Sequence, residues 1–390
     1  MQKGVFAGLI VASLMVAVAC SSASPAFPGT FSQTGSMSEV REGQTATLLL
    51  DGRVLIAGGT YGCCDEWTHL SSAELYNPAT GTFSRTASMT TPRAYHLASL
   101  LQDGRVLIAD TTSAELYDPS SGRFSPTGSP IGSPEFTTAT LLPDGRVLLA
   151  GAYGTGDSAP AELYEPKTGA FGLTGSLIDG CVGSSAAPLK DGRVLFVGCG
   201  DGSREANKQD VFRDSATAEL YNPETGTFSM TGAMTQSCSN PTATALADGS
   251  VLVTGCSVTS SDGTEVTLTS AEIYDPATGT FKATGAMAEP RTGYTATLLG
   301  SGLVLIAGGW GQDPLPYLST AELFDPARGT FSQTPTAMLT GRAISTATLL
   351  RDGRVLFTGG RALGEDNQDH QLSSAEIYTP MPIVPSGTRG

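Results

Sequence analysis

The sequence is poor in positive charge, and this sets a first limit on its function. It contains 22 Lys and Arg residues against 37 Asp and Glu residues, for a formal net charge of −15, and only three histidines. Binding to nucleic-acid phosphates requires clustered Lys and Arg side chains. We therefore expect no nucleic-acid partner, whereas an acidic surface suits neutral polar or cationic partners.

The common catalytic signatures are also missing. The sequence has no G-x-S-x-G elbow, no H-E-x-x-H motif and no Walker A loop. Its histidines form no paired metal-ligand motif, and the oxygen-rich stretch Glu365–Asp369 lacks the spacing of a calcium-binding loop. We expect neither a metal nor a cofactor, and the sequence favours a binding protein over an enzyme.

Long apolar runs are absent apart from one at the N-terminus. Lys3 precedes the run Val5–Ala19, which consists of apolar or small residues apart from Ser13. A basic start, an apolar stretch and small residues before a cleavage point are typical of a signal peptide. We predict that residues 1–19 are a signal peptide and that the mature protein leaves the cytoplasm, where disulfides are permitted.

The cysteine at the predicted cleavage point resembles the lipobox of bacterial lipoproteins. Ala17, Val18 and Ala19 precede Cys20, and a polar run follows it. The resemblance implies a lipid on the Cys20 sulfur, with residues 20–28 as a linker to the cell envelope and no other membrane contact. An ordinary secreted protein that carries a cysteine here by chance is the alternative.

Seven copies of one template fill most of the chain. Each copy has a T-A-T-L-L-like segment, then D-G-R-V-L-I-A-G-G, a variable loop, S-A-E-L-Y-D-P and T-G-T-F. The turn before the second segment begins at Asp51, Asp103, Asp144, Asp191, Asp248, Ser301 and Asp352. Successive turns lie 41 to 57 residues apart, and a recurring period of this length is typical of repeat architectures.

Each copy is predicted to form four short strands. In the first copy these are Thr45–Leu50, Val54–Gly59, Ala73–Tyr76 and a strand that begins at Phe83. Asp-Gly is a strong hairpin signal, and the Pro and Gly of the later turn favour its backbone angles. Four-stranded units at a period of about 50 residues match the blades of a β-propeller.

The glycine doublet, the downstream Tyr and the aromatic residue after T-G-T resemble the kelch repeat, which is also found in galactose oxidase. The resemblance covers residues 29–380 and implies a single all-β domain, a seven-bladed propeller. A strand around Thr30–Gly35 is expected to complete the last blade beside the C-terminal strands, so that no edge stays open. We expect a monomer without the copper site of galactose oxidase, and a loose tail over residues 381–390.

One glutamate and one aromatic residue recur in every copy, which favours structural roles because an active site is usually unique. We expect the glutamates to pair with arginines of the second strand, and the aromatic residues to pack between sheets. The glutamates are Glu74, Glu115, Glu162, Glu219, Glu272, Glu322 and Glu376, the arginines are Arg53, Arg105, Arg146, Arg193 and Arg354, and the aromatic residues are Tyr76, Tyr117, Tyr164, Tyr221, Tyr274, Phe324 and Tyr378.

Function is sought where the copies differ. Ten residues before each turn, the seven copies carry Arg41, Arg93, Pro134, Cys181, Cys238, Arg291 and Arg342. The four copies with Arg are neighbours in a closed ring. The same sector holds both tryptophans and all three histidines of the chain, Trp67, Trp310, His69, His96 and His370.

Guanidinium groups beside aromatic rings and carboxylates suit a sugar or a peptide. We therefore predict that the four arginines, the two tryptophans and the three histidines of this sector bind a carbohydrate or protein ligand. The binding face would be the one formed by the loops before the first strand and after the second strand of each copy. The alternative for the arginines is a bond to the loops of their own blade. The alternative function is a carbohydrate-active propeller enzyme, similar to a sugar epimerase or to a degenerate galactose oxidase.

Two pairs of cysteines replace the same two template residues in adjacent copies. Cys181 and Cys199 are 18 residues apart, as are Cys238 and Cys256. The start of one strand lies near the end of its antiparallel partner, within disulfide range. We predict a disulfide within each pair. In a regular antiparallel register the residue opposite the first cysteine would lie two residues beyond the second, so an irregularity must bring the two cysteines together. Zinc held by the four cysteines is the alternative.

The adjacent cysteines Cys63 and Cys64 leave three possibilities open. They could form a vicinal disulfide, pair with another chain or stay reduced.

Overall fold

Each of the seven repeats folds into a four-stranded antiparallel sheet, so the chain forms a seven-bladed kelch-type β-propeller as predicted. The structure is a computed structural model that describes residues 29–63, 66–132, 136–151, 159–179, 185–198, 215–259, 264–312 and 317–381. Among these residues, none belongs to a helix long and apolar enough to cross a membrane.

The blades are numbered along the chain, and the strands of each blade are labelled A, B, C and D in sheet order. Blade 1 has β2 (Thr45–Leu48), β3 (Val54–Ala57), β6 (Ala73–Asn77) and β7 (Thr82–Arg85). Blade 2 has β8 (Leu97–Leu100), β9 (Val106–Ala109), β10 (Ala114–Asp118) and β11 (Arg123–Pro126). Blade 3 has β12 (Thr138–Leu141), β13 (Val147–Ala150), β14 (Ala159–Glu165) and β15 (Ala170–Leu177). Blade 4 has β16 (Ser185–Pro188), β17 (Val194–Val197), β18 (Ala218–Asn222) and β19 (Thr227–Met230).

The remaining three blades follow the same order. Blade 5 has β20 (Thr242–Ala245), β21 (Val251–Thr254), β24 (Ala271–Asp275) and β25 (Thr280–Ala283). Blade 6 has β26 (Thr295–Leu298), β27 (Val304–Ala307), β28 (Ala321–Asp325) and β29 (Thr330–Gln333). Blade 7 has β30 (Thr346–Leu349), β31 (Val355–Thr358), β34 (Ala375–Pro380) and β1 (Gly29–Gln33). Hairpins after strand B are β4 (Thr60–Cys63) with β5 (Glu66–His69), β22 (Ser257–Thr259) with β23 (Glu265–Thr267), and β32 (Arg361–Leu363) with β33 (Asp369–Gln371).

The apolar core lies between neighbouring blades. Every residue of each B strand is buried, because this strand runs between A and C and is covered by a blade on either side. At the interface of blades 1 and 2, Leu55 and Leu75 pack with Val106, Ile108 and Tyr117. The A strands of adjacent blades contact one another and so form the inner ring.

The recurring aromatic residues pack between blades as predicted. Tyr76 is fully buried and its ring lies 4.8 Å from that of Phe83. Its hydroxyl lies 2.9 Å from Thr34 Oγ1 of the preceding blade. A Tyr–Thr hydroxyl pair of this kind also joins the next four blade interfaces, so each ring both fills the core and fixes its neighbour.

The N-terminal strand closes the ring, which confirms the prediction. β1 pairs antiparallel with β34, with Gly29 opposite Pro380 and Phe31 opposite Tyr378. Strand D of blade 7 therefore comes from the opposite end of the chain to strands A, B and C.

The expected pairing of the B-strand arginines with the recurring glutamates is wrong. Arg53 instead forms an ion pair of 2.6 Å with Asp51 of its own turn. Its Nη2 also donates to the carbonyl of Pro119 in the next blade, at 3.4 Å. The same pattern recurs in blades 2, 3 and 7, so these arginines connect neighbouring blades at the face opposite the variable loops.

The predicted strands A and B are each two residues too long, because turns occupy their ends. The turn after β2 begins at Leu49, whose N–H bonds to Arg53 O. Gly58 and Gly59 leave the sheet with φ of +62° and +102°. A Cβ on Gly59 would lie 2.8 Å from Glu42 O, so close backbone approach as well as conformation requires glycine there.

The structure contains the predicted disulfide between Cys238 and Cys256, whose Cα atoms are 5.0 Å apart. Beyond strand β20 the register continues, with Ser239 opposite Ser257, so the disulfide joins residues that are not directly opposed. Asn240, between Cys238 and strand β20, has a left-handed φ of +52°. Gly43, Tyr95, Gly293 and Ile344 have the same left-handed φ at the equivalent place. This shared kink brings the chain before strand A back against the end of strand B.

The remaining cysteine predictions concern residues outside the described ranges. Cys20, Cys64, Cys181 and Cys199 lie there, as does Pro134, and of Cys63 the structure describes only the backbone. The predicted signal peptide, the predicted linker and most of the predicted C-terminal tail also lie outside.

We predict that replacing Cys238 and Cys256 by Ala together lowers the free energy of unfolding by about 3 kcal/mol, because the disulfide restricts an unfolded loop of this length. Denaturant unfolding of the oxidised protein measures the loss. Unchanged unfolding in the double variant would show that the disulfide does not support the blade.

Candidate functional site

The recurring glutamates organise the loop face, which is the face carrying the B–C and D–A connections. Glu74 accepts both contacts from Ser38 N–H, at 3.1 and 3.0 Å, and Glu115 accepts from Thr90 N–H at 2.9 Å. All seven glutamates accept backbone N–H groups of the turn before strand A. These turns are therefore fixed by buried carboxylates, whereas the B–C loops remain free to differ.

The structure corrects the prediction that four arginines face a ligand. Arg41, Arg93, Arg291 and Arg342 are at most 2% exposed. Arg41 donates to Gly58 O at 2.6 Å and to Glu74 Oε1 at 3.1 Å. Each of the four bonds to the glutamate and the loops of its own blade, which is the alternative role that the sequence allows for them.

We call the buried arginine, with its bonds to the glutamate and the loops of its own blade, the arginine clamp. In blade 5 the disulfide stands in its place. Cys238 stands at the template position of Arg41, and Cys256 at that of Gly59, next to the carbonyl that Arg41 binds. Both connect the chain before strand A to the end of strand B. A covalent bond thus replaces a buried guanidinium, without placing either group at the surface.

We predict that Arg41→Met lowers the free energy of unfolding by about 3–5 kcal/mol, because it leaves the buried Glu74 without its counter-charge. Arg53→Met in the same blade is the matched control, since its ion pair is partly exposed and should be worth less than about 1 kcal/mol. Denaturant unfolding of both variants measures the difference. Equal losses would contradict the clamp.

Aromatic side chains and one buried ion pair form a cluster where blades 7, 1 and 2 meet. Arg361 binds the fully buried Glu42 through two nitrogens, at 2.7 and 2.5 Å. The Tyr95 hydroxyl donates to the same carboxylate at 3.0 Å. The Arg361 guanidinium lies 5.3 Å from the ring centre of Trp67, which is 43% exposed. Glu42 therefore links two exposed rings from different blades.

The other aromatic residues of this sector and His370 lie on the loops of blades 6 and 7. The rings of Trp310 and Tyr317 are 6.2 Å apart, and Tyr317 also bonds to Asp369 of blade 7. His370 is exposed at the tip of the β32–β33 hairpin, with Nε2 at 2.8 Å from Asp366. Loops of blades 6, 7 and 1 thus contact each other, but His370 and Trp310 do not reach the cleft described next.

A cleft of about 620 Å³ lies over blade 2. The B–C connection of this blade spans only residues 110–113, whereas that of blade 1 spans residues 58–72 and carries the β4–β5 hairpin. His69 of that hairpin and Phe136 of blade 3 border the cleft, and residues 92–97 and 109–112 of blade 2 form the rest. The volume is within the range of small-molecule sites.

His96 is a buried, neutral group of this cleft. It is 5% exposed, and its Nε2 lies 3.0 Å from Thr45 Oγ1. Burial, together with the charge of Arg93, lowers the pKa of His96 to about 3. Its Nδ1 is buried and has no hydrogen-bond partner among the described residues.

Asp110 and Tyr95 are the other polar residues that define the cleft. Asp110 replaces the first glycine of the doublet and pairs with Arg93. Burial opposes its ionisation, but hydrogen bonds from Thr112 and Ser113 and the charge of Arg93 hold its pKa below the usual value. Tyr95 is 60% exposed at a left-handed φ of +53°, and burial of its hydroxyl beside Glu42 raises its pKa to about 12.

Of the nine predicted ligand residues, the cleft brings together His69, His96 and the buried Arg93. Sequence reasoning missed Tyr95, Asp110, Glu42, Arg361 and Phe136. The available signal was the replacement of Gly-Gly by Asp-Thr at residues 110 and 111, next to the shortest B–C loop.

Among the described residues, no three His, Cys, Asp or Glu side chains come together as ligands. His96 Nε2 and the Tyr95 hydroxyl are already held by Thr45 and Glu42.

Comparison with known proteins supports the fold. A family model described as the Kelch motif matches residues 44–90. A solved structure titled a novel fungal alcohol oxidase of the AA5 family, in complex with copper, is similar with a TM-score of 0.70 and 19% identity. The match covers 90% of this chain and 76% of that one. At this identity the likeness shows the fold alone. No curated protein matches the sequence significantly.

We predict that His96 makes the protein less stable in mild acid. Its folded pKa of about 3 lies below the unfolded value of about 6.5, so the unfolded chain binds the extra proton between these values. The contribution is complete above the unfolded pKa and is lost as the pH falls. Between pH 7.5 and 5 the wild type should lose about 2 kcal/mol more than His96→Gln. Urea unfolding at both pH values measures this difference, and equal losses in the two proteins would contradict a buried neutral ring.

Proposed function

We propose that the protein is an exported interaction module, anchored to the cell envelope by lipid on Cys20, which binds a carbohydrate or protein ligand on its loop face. The cleft over blade 2 is the observation that carries the proposal. The B–C loop is very short at this blade of the propeller, and exposed aromatic side chains lie beside the space it leaves. Variable loops on a rigid scaffold are where binding residues concentrate.

The conformation of Tyr95 supports a role in binding. Its left-handed φ belongs to a kink that five blades share, and in blade 2 this kink carries a tyrosine that lines the cleft. Its ring packs over Gly43, where a Cβ would come within 2.9 Å of the ring. With its hydroxyl on Glu42, the ring is held in one orientation while most of its surface faces solvent. A wall ordered in advance lowers the entropic cost of binding.

A carbohydrate-active enzyme is the second candidate. It is favoured by the carboxylate of Asp110 and the imidazole of His96 in one cleft, and by the fold shared with an alcohol oxidase. Incubation of the protein with a panel of sugars, followed by analysis of products, tests for turnover.

We predict that Tyr95→Asn weakens ligand binding by tenfold or more, because it removes the exposed ring. The fold should persist, since Asn240 holds the same left-handed position in blade 5. Glycan and peptide arrays, followed by calorimetry with the ligand found, measure the affinity.

Ile344→Asn is the matched control, because Ile344 has the same backbone conformation in blade 7 but does not line the cleft. An equal effect of both variants, or none from Tyr95→Asn, would contradict binding at the cleft.

A further inference from the structure

We propose that His96 Nδ1 binds an uncharged hydroxyl group of a saccharide in the cleft over blade 2, and so sets the specificity of the site. The inference rests on the proposed binding function and narrows its ligand class. Its basis is a buried polar atom that lacks a partner among the described residues, on a side chain that lines the cleft. Leaving such an atom unpaired is unfavourable, and a ligand that bonds to it recovers that cost.

The position of His96 in the repeat shows why this atom is available. Gln44 holds the equivalent position in blade 1 and turns its amide nitrogen onto Thr358 O of the preceding blade, at 2.9 Å. Tyr294 in blade 6 likewise bonds to Thr254 of the preceding blade, at 2.8 Å. His96 uses Nε2 for this contact. Gln44 Oε1 is also unpaired, but Gln44 does not line the cleft.

The charges around His96 favour an uncharged ligand group. The imidazole is neutral at physiological pH. Arg93 is engaged by Asp110 and Glu115, and both Asp110 oxygens accept hydrogen bonds. Arg93 Nε is also buried and unpaired, but both terminal nitrogens of this guanidinium are paired with carboxylates. An anionic ligand would therefore meet a guanidinium that is already neutralised, and a cationic one would approach the buried Arg93. A hydroxyl can donate to or accept from Nδ1 in either ring tautomer.

The walls of the cleft favour a saccharide over a peptide. The exposed ring of Tyr95 and the side chains of Phe136, Pro92 and Leu97 supply apolar surface beside the polar floor. A pyranose combines hydroxyls at its rim with an apolar face. A peptide bound as an extended chain would need a long groove or a free strand edge, whereas this cleft is confined to one blade between the loops of its two neighbours.

Nitrogen-15 NMR of histidine-labelled protein tests the assignment, because the chain has only three histidines. His69→Gln and His370→Gln identify their own signals, which leaves those of His96. Glucose, glucosamine and glucuronate share one ring and differ in charge, and an acetylated tri-alanine amide represents a peptide. We expect glucose to shift the Nδ1 resonance of His96, and its two charged analogues to need at least tenfold higher concentration.

His96→Tyr should fold, as Tyr294 does at the equivalent position of blade 6, where its one hydroxyl bonds to the preceding blade. The variant has no second polar atom and should weaken glucose binding at least tenfold. If only the peptide shifts His96, the saccharide assignment is overturned. If a ligand found on the arrays binds with His96 unmoved, the interaction function stands and the role of His96 fails. If no array ligand and no probe binds, both proposals fail.

Discussion

The buried glutamate of strand C is the interaction on which the loop face depends. In each blade its carboxylate accepts backbone N–H groups from the turn before strand A. Because a buried carboxylate must be satisfied, the turn cannot move without leaving it unpaired. The described parts of the D–A turns are therefore held by the same contact in all seven blades, whereas the B–C loops differ in length.

The group that joins the chain before strand A to the loop end of strand B, next to this glutamate, differs between blades. In blades 1, 2, 6 and 7 it is a buried arginine that also binds the loop end of strand B. In blade 5 the same two chain segments are joined by Cys238 and Cys256. Both solutions hold the loop face together, so the arginines that suggested a ligand site in the sequence belong to the framework. The cleft proposed as the ligand site lies instead at the short B–C connection of blade 2, beside the exposed ring of Tyr95 and the buried His96.

The fold was predictable because its determinants repeat seven times, at intervals of 41 to 57 residues. The ring closure was predictable because an extra fourth-strand segment precedes the first copy and the last copy lacks this strand. The partners of Arg41 and Arg53 were not predictable in the same way. Spacing along the chain shows which residues share a blade, but not that Arg41 is buried beside Glu74 while Arg53 lies at the opposite face with Asp51. The cleft was hidden for another reason. It arises from missing residues after Ala109, and its lining combines separate segments of blades 1, 2 and 3 that the linear sequence does not place side by side.

A crystal structure of the protein with the ligand that binds best on the arrays tests the location of the site most directly. The cleft over blade 2 should then contain the ligand, with one ring against Tyr95 and a hydroxyl within hydrogen-bond distance of His96 Nδ1. A ligand bound on blades 3 to 5, or on the face that carries the Asp-Gly turns, would contradict this location of the site.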